Sequence, residues 1–126
     1  MLGDHLIHPV LLATDLGGAR GFYHDQLGMQ IVNKSEAAIV FRCGGGTQLT
    51  VTKSTPGTAD TQTQASWLVT DIRAEVAELR SRDVTVEEYD LPGLKTEDGV
   101  ADLGFAWAAS IVDPGKNALG ILQIKE

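Results

Sequence analysis

The sequence predicts an α+β fold in which one βαβββ module is used twice, and three observations predict it. From Ile7 to Leu27 the chain reads IHPVLLATDLGGARGFYHDQL, an apolar strand-like run carrying His8, closed by Asp15 and followed by a helical pattern. From Gln64 to Leu79 it reads QASWLVTDIRAEVAEL, the same plan, with Asp71 answering Asp15 and Gln64 answering His8 at one common offset. After each helical pattern come short β-compatible runs divided by turn residues, as a meander requires.

Taken in order, His5 to Thr14 is a near-continuous apolar run and reads as a strand buried on both faces. Pro9 donates no ladder hydrogen bond, which places this strand at an edge, near its own start or beside a bulge. Asp15 caps a helix whose apolar positions are Leu16, Ala19, Phe22, Tyr23 and Leu27, with Gly28 as its stop. Gly17, Gly18 and Gly21 each weaken that helix by about 1 kcal/mol against alanine, so its apolar face must hold it to a sheet. Strands follow at Gln30 to Lys34, Ala37 to Arg42 and Thr47 to Lys53, with turns at Ser35-Glu36 and Cys43 to Gly46. Residues 55–63 lack apolar periodicity and are rich in Thr, Pro, Gly and Asp, the composition of a linker. Module one is therefore 1–54 and module two 64–126 of a single domain.

In the second module Asp71 caps a helix with Ile72, Val76 and Leu79 on one face, and Glu78 pairs with Arg82 across one turn. A strand is expected from Val84 to Tyr89, then an irregular stretch from Asp90 to Gly104. A loop of that length in a compact domain usually covers or lines a site, and Asp90, Lys95, Glu97, Asp98 and Asp102 could close over a ligand, although a solvated loop is the plainer reading. Phe105 to Val112 and Ala118 to Ile124 form a closing hairpin about Asp113-Pro114-Gly115-Lys116-Asn117.

Composition narrows the function. The 126 residues are 43% hydrophobic and 21% charged, ordinary for one globular domain, while each half alone would be marginal. With 17 acidic against 10 basic residues, a net charge of −7 and no basic cluster, neither nucleic acid nor an anionic membrane is an expected partner. The N-terminus shows no basic region ahead of an apolar stretch, no run reaches membrane-spanning length, and Cys43 is the single cysteine, so a reducing cytoplasm is expected.

The segment HPVLLATDLGGARGFYHDQLG, with its pattern D-L-x-x-A-x-x-F-Y-x-x-x-L-G, and the ending D-P-x-x-N-x-L from Asp113 to Leu119 together resemble the vicinal oxygen chelate superfamily. That superfamily includes glyoxalase I, the extradiol dioxygenases and the bleomycin and fosfomycin resistance proteins, and the resemblance covers essentially the whole chain. It implies two cupped mixed sheets around a ligand cavity, a homodimer, and metal-ligand positions that align here with His8, Gln48, Gln64 and Gln123. Strand alternation groups Gln48 with Thr50, Gln64 with Ser66, Gln123 with Ile121, and His8 with Val10 and Leu12.

The departure from that pattern carries the functional expectation. A divalent ion gives up tightly held water only to strongly donating imidazole, thiolate or carboxylate ligands, and one histidine with three neutral amides is a poor set. An amide at Gln123 cannot take up and return a proton, as the lyase reaction needs, and an extradiol dioxygenase needs two histidines and a carboxylate on iron. The expectation is therefore a small-molecule binding protein without a strong metal site and with no required cofactor, divalent metal binding at most weakly. The alternative is a metal-dependent lyase or dioxygenase using His8.

Other candidates have plainer readings beside the functional ones. Trp67, Trp107 and Phe105 are candidate ligand-binding walls together with His8 and the three glutamines; aromatics at alternating spacing also build cores and dimer interfaces. Tyr89 is a further large side chain near them. His5 and His8, three apart, point to opposite strand faces and cannot share one ion without a bulge. His24 reads as a solvated helix residue. Gly44-Gly45-Gly46 has no following helix and reads as a turn, and Cys43 has no basic neighbour to activate it.

Overall fold

The structure, a computed structural model, describes residues 1–54, 63–92 and 94–125. The chain divides into two compact units, Met1–Ala59 with Pro114–Asn117, and Asp60–Asp113 with Ala118–Glu126. The expected linker over 55–63 lies outside the described residues except for Thr63, which opens a strand.

In the first unit β1 (Val10–Ala13) leads to α1 (Leu16–Arg20), then to β2 (Gln30–Lys34), β3 (Ala38–Arg42) and β4 (Gln48–Lys53). The sheet order is β1-β4-β3-β2, with β1 parallel to β4 and the rest antiparallel. The strand expected from His5 starts only at Val10. Pro9 has no N–H to give the ladder, and its carbonyl accepts the Thr50 N–H instead (3.1 Å). The Asp15 carboxylate caps α1 by accepting the Gly17 N–H (3.0 Å), but α1 does not run on as an α-helix to Leu27. From Gly21 to Gln26 it widens into a π-helical segment, marked by the Leu27 N–H reaching the Phe22 carbonyl (2.9 Å), and it ends at Gly28 in the left-handed region (φ 75°). The widened turn brings Phe22 and Tyr23 together onto the sheet. Their rings meet edge to face at 5.0 Å, and Tyr23 lies 5.3 Å from Phe41. These three rings with Leu11, Ile39, Leu49 and Val51 are the core of the unit.

His24 is not simply solvated. Its Nδ1–H donates to the Met29 carbonyl (2.8 Å), closing the end of the π-helical segment and setting the ring tautomer.

In the second unit β5 (Thr63–Leu68) leads to α2 (Ile72–Ser81), then to β6 (Asp90–Leu91), β7 (Leu94–Glu97), β8 (Val100–Asp102), β9 (Ala106–Val112) and β10 (Ala118–Ile124). The order β5-β10-β9-β8 reproduces the first sheet, with β5 parallel to β10, and β7 and β6 extend it. Two expectations are corrected here. Val84 to Tyr89 is not a strand; its backbone reaches β9 through the bond from Glu87 N–H to the Ser110 carbonyl (2.9 Å), while Val84 and Val86 bury their side chains. The stretch from Asp90 to Gly104 is not irregular. Asp98 (φ 51°) and Gly99 (φ 81°) make a tight turn of the primed kind, which pairs Glu97 with Val100 and lays β7 and β8 beside β9.

Each helix covers one face of its sheet, and the alternation of burial says which. In β4 Leu49 and Val51 are buried while Gln48, Thr50 and Thr52 are less so. In β10 Leu119 and Ile121 are buried, paired with Ile111 and Ala109 of β9, beneath Ile72 and Val76 of α2.

Candidate functional site

His8 and Gln48 belong to the first unit. The parallel ladder opens with Val10 beside Thr50, so each lies two positions ahead of the first pair. Gln48 shares the face of β4 that α1 does not cover, as alternation requires. His8 lies in the unpaired lead-in, half-buried, and its Nε2 is buried with no hydrogen-bond partner among the described residues. A buried ring nitrogen left unsatisfied is unusual, because desolvating it without a partner costs roughly 1–3 kcal/mol.

Gln64, Gln123, Trp67, Trp107 and Phe105 belong to the second unit. Ser66 and Gly120 are ladder partners on the face away from α2, where a Cβ on Gly120 would stand 2.7 Å from Ser66 Oγ, and Gln64 precedes Ser66 in the same alternation. The β5–β10 register shifts here, Thr63 pairing with Ala118 and Ala65 with Leu119, so Gln64 is the extra residue, and its Oε1 accepts the Ala118 N–H (3.1 Å). Gln123 shares a face with Ile121, as expected, but that face is the one under α2. Its Oε1 accepts the Ile72 N–H (2.8 Å), while the Asp71 carboxylate accepts the Ala74 N–H (3.1 Å), so two side chains close the N-terminus of α2. Trp67, the ladder partner of Ile121, is half-buried on the same side. Phe105 stands just before β9, 63% exposed, and its carbonyl accepts the Lys125 N–H (3.0 Å).

Trp107 gathers the most chemistry. It pairs with Gln123 on one side and with Asp102 on the other. Lys125 Nζ lies 4.8 Å from the centre of its ring and donates to Asp102 Oδ1 (2.7 Å). That hydrogen bond, aided by the Gly104 N–H (2.9 Å), holds the Asp102 carboxyl below its ordinary range. A cavity of about 420 Å³ is lined by Thr70, Trp107, Gln123, Ile124 and Lys125. Arg73, Lys125 and Thr70 carried no signal in the sequence; the Asp98-Gly99 dipeptide, a strong hairpin marker, could have shown that Lys95, Glu97 and Asp102 lie on strands.

The metal that the resemblance implies does not fit the donors present. The Gln64 and Gln123 oxygens each already accept a backbone N–H, which leaves the His8 imidazole as the one strong donor among the aligned positions. Among the described residues, no three His, Cys, Asp or Glu side chains are placed to hold one ion.

A parallel outer strand, a helix and an antiparallel meander, built twice, define a tandem-module α+β protein. The chain belongs to the glyoxalase/bleomycin resistance protein/dioxygenase superfamily, whose sequence profile matches residues 5–117. Solved structures share the fold at low identity. A glyoxalase/bleomycin resistance protein/dioxygenase from Alicyclobacillus acidocaldarius is 17% identical with a TM-score of 0.72, over 98% of this chain and 93% of that one. Lactoylglutathione lyase from Agrobacterium tumefaciens is 22% identical with a TM-score of 0.65, over 95% and 93%. An antibiotic binding protein from a Streptomyces species is 18% identical with a TM-score of 0.66, over 96% and 98%. No curated protein matches the chain.

Proposed function

We propose that this protein binds a small organic molecule, with His8 as the polar contact, and that it does so without a strong metal site. The observation that carries the reading is His8 Nε2, buried and without a partner among the described residues, a group held ready for an atom of a ligand. Gln48 stands beside the same strand end and is able to donate or accept through its amide. The fold itself leaves the class open, since it serves a lyase in one relative and an antibiotic binding protein in another; the side chains decide. Here the oxygens of two amides at the aligned positions hold the protein's own backbone, which favours binding over metal-dependent turnover. We place the protein in the cytoplasm; no helix among the described residues is long and apolar enough to cross a membrane. We also propose a homodimer, because each half of the chain is of marginal size alone.

The test has two arms on the purified protein. Calorimetric titration with nickel, zinc, manganese and iron(II) is expected to show no stoichiometric, sub-micromolar binding. Protein-observed NMR titration against a panel of small aromatic molecules is expected to find a binder that shifts the His8 ring resonances and is lost in His8→Ala. Tight metal binding abolished by the same substitution would replace this reading with a metal-dependent lyase or dioxygenase.

A further inference from the structure

A second binding surface lies on the α2 side of the second sheet, and strand register builds it. Gln123, Trp107 and Asp102 are successive ladder partners across β10, β9 and β8. Val100 is two residues from Asp102 and pairs with Glu97, and Lys95 is two residues from Glu97. Because side chains alternate along a strand, all six point to one face, the one α2 covers at Leu119 and Ile121. Val76 of α2 continues that cover over Leu119 and Ile111, and the open part of the face lies toward β7 and β8. Arg73, Lys95, Glu97, Val100, Asp102 and Trp107 line a cleft of about 320 Å³ there, and Trp107 is also a wall of the 420 Å³ cavity on its other side.

The charges in this cleft are unequally committed. Asp102 is held by Lys125, so that pair presents little net charge to a ligand. The side chains of Arg73 and Lys95 make no hydrogen bond or ion pair among the described residues, and Glu97 is the one lining anion whose side chain is in the same condition. Among the lining residues two free cations thus face one free anion, with the exposed Asp90 of β6 across the ladder from Lys95 on the same face. Its floor is an indole and a buried valine side chain.

From this placement we infer that the cleft between Trp107 and Arg73 binds a small planar organic anion, its carboxylate against Arg73 and Lys95 and its flat apolar body against Trp107. Arg73 supplies a planar fork that matches a carboxylate, Lys95 a second charge, and the indole a broad apolar surface. The site uses none of the residues aligned with metal positions except the neighbouring Gln123. It is therefore separate from the His8 reading.

The probe is 2-naphthoate, with 2-naphthamide as the uncharged control of nearly the same shape. Both are titrated into the Trp67→Phe protein, in which Trp107 is the only tryptophan, and followed by quenching of its fluorescence. Naphthoate is expected to quench saturably and to bind about tenfold more tightly than naphthamide, with the advantage shrinking in high salt. Arg73→Gln together with Lys95→Gln should erase that advantage, and Glu97→Gln should tighten binding by about two- to fivefold. All three positions are exposed, so folding should survive, checked by the thermal unfolding curve. His8→Ala should leave naphthoate binding unchanged. Equal affinity for acid and amide, an unchanged affinity in the double variant, or loss of quenching in His8→Ala would each overturn the assignment, the last by showing that the ligand sits at the His8 site.

Discussion

Asn117 shows how much one side chain carries. It is fully buried, and its Nδ2 donates to the Leu12 carbonyl of β1 (2.7 Å), across 105 positions of sequence. Gly115 is bound to the same place, since a Cβ there would stand 3.0 Å from the Leu12 oxygen. The D-P-x-x-N ending that pointed to the family is therefore a structural clasp for the turn between β9 and β10. Asn117→Ala should cost about 1–3 kcal/mol, because Leu12 loses a buried donor, and Asn117→Asp should fare no better at neutral pH, because a carboxylate cannot donate. Urea unfolding measures both; a midpoint unchanged in either variant would show that the clasp is not what holds the turn. His8 is the opposite case, its Nε2 buried with no partner among the described residues. The sequence suggested its importance through alignment, but the missing partner is a fact of packing.

At the scale of elements, α2 depends on β10 for part of its N-terminus. Asp71 satisfies Ala74 from within the segment, as its capping position suggested, whereas Ile72 is satisfied by Gln123 from a strand far away in sequence. Gln123→Leu should strand the Ile72 N–H and cost about 1 kcal/mol, while Gln123→Glu, still an acceptor and now negative at a helix N-terminus, should keep or raise stability at neutral pH. Amide exchange at Ile72 separates the outcomes: faster exchange in the leucine variant alone supports the cap, and equal exchange in all three proteins removes it. The boundaries of β2, β3, β4, β9 and β10 agree with the sequence within one residue, because alternating or continuous apolar runs between turn residues state them locally. β7 and β8 were missed for a reason of the same kind. Their side chains, Lys95, Thr96, Glu97 and Asp102, are too polar to show as strands, and only the Asp98-Gly99 turn betrays the hairpin. The π-helical widening at Gly21 has no sequence mark comparable to a cap.

For the whole molecule, the doubling of the plan is its main property. Each unit places a parallel strand pair at one end of an antiparallel run, with a helix on one face. Exposed apolar side chains such as Leu6, Ile7, Val10 and Leu68 remain on the single chain, more than scattered solvent contact requires. Sedimentation equilibrium should find a species near twice 13.4 kDa, and a monomer at all accessible concentrations would retire the dimer. The sequence by itself determined the repeat, the helix-capping aspartates, most of the strands and the family, because these rest on local periodicity and on residues with fixed conformational demands. Only the tertiary structure decided which face each glutamine serves. Alternation along β10 told that Gln123 goes with Ile121 but not which side α2 would occupy, since that choice is made by burial of Ile72 and Val76 against a sheet assembled from distant strands. The same long-range register set Trp107 beside Asp102, Lys125 and Arg73, residues separated in sequence and joined only by pairing and packing.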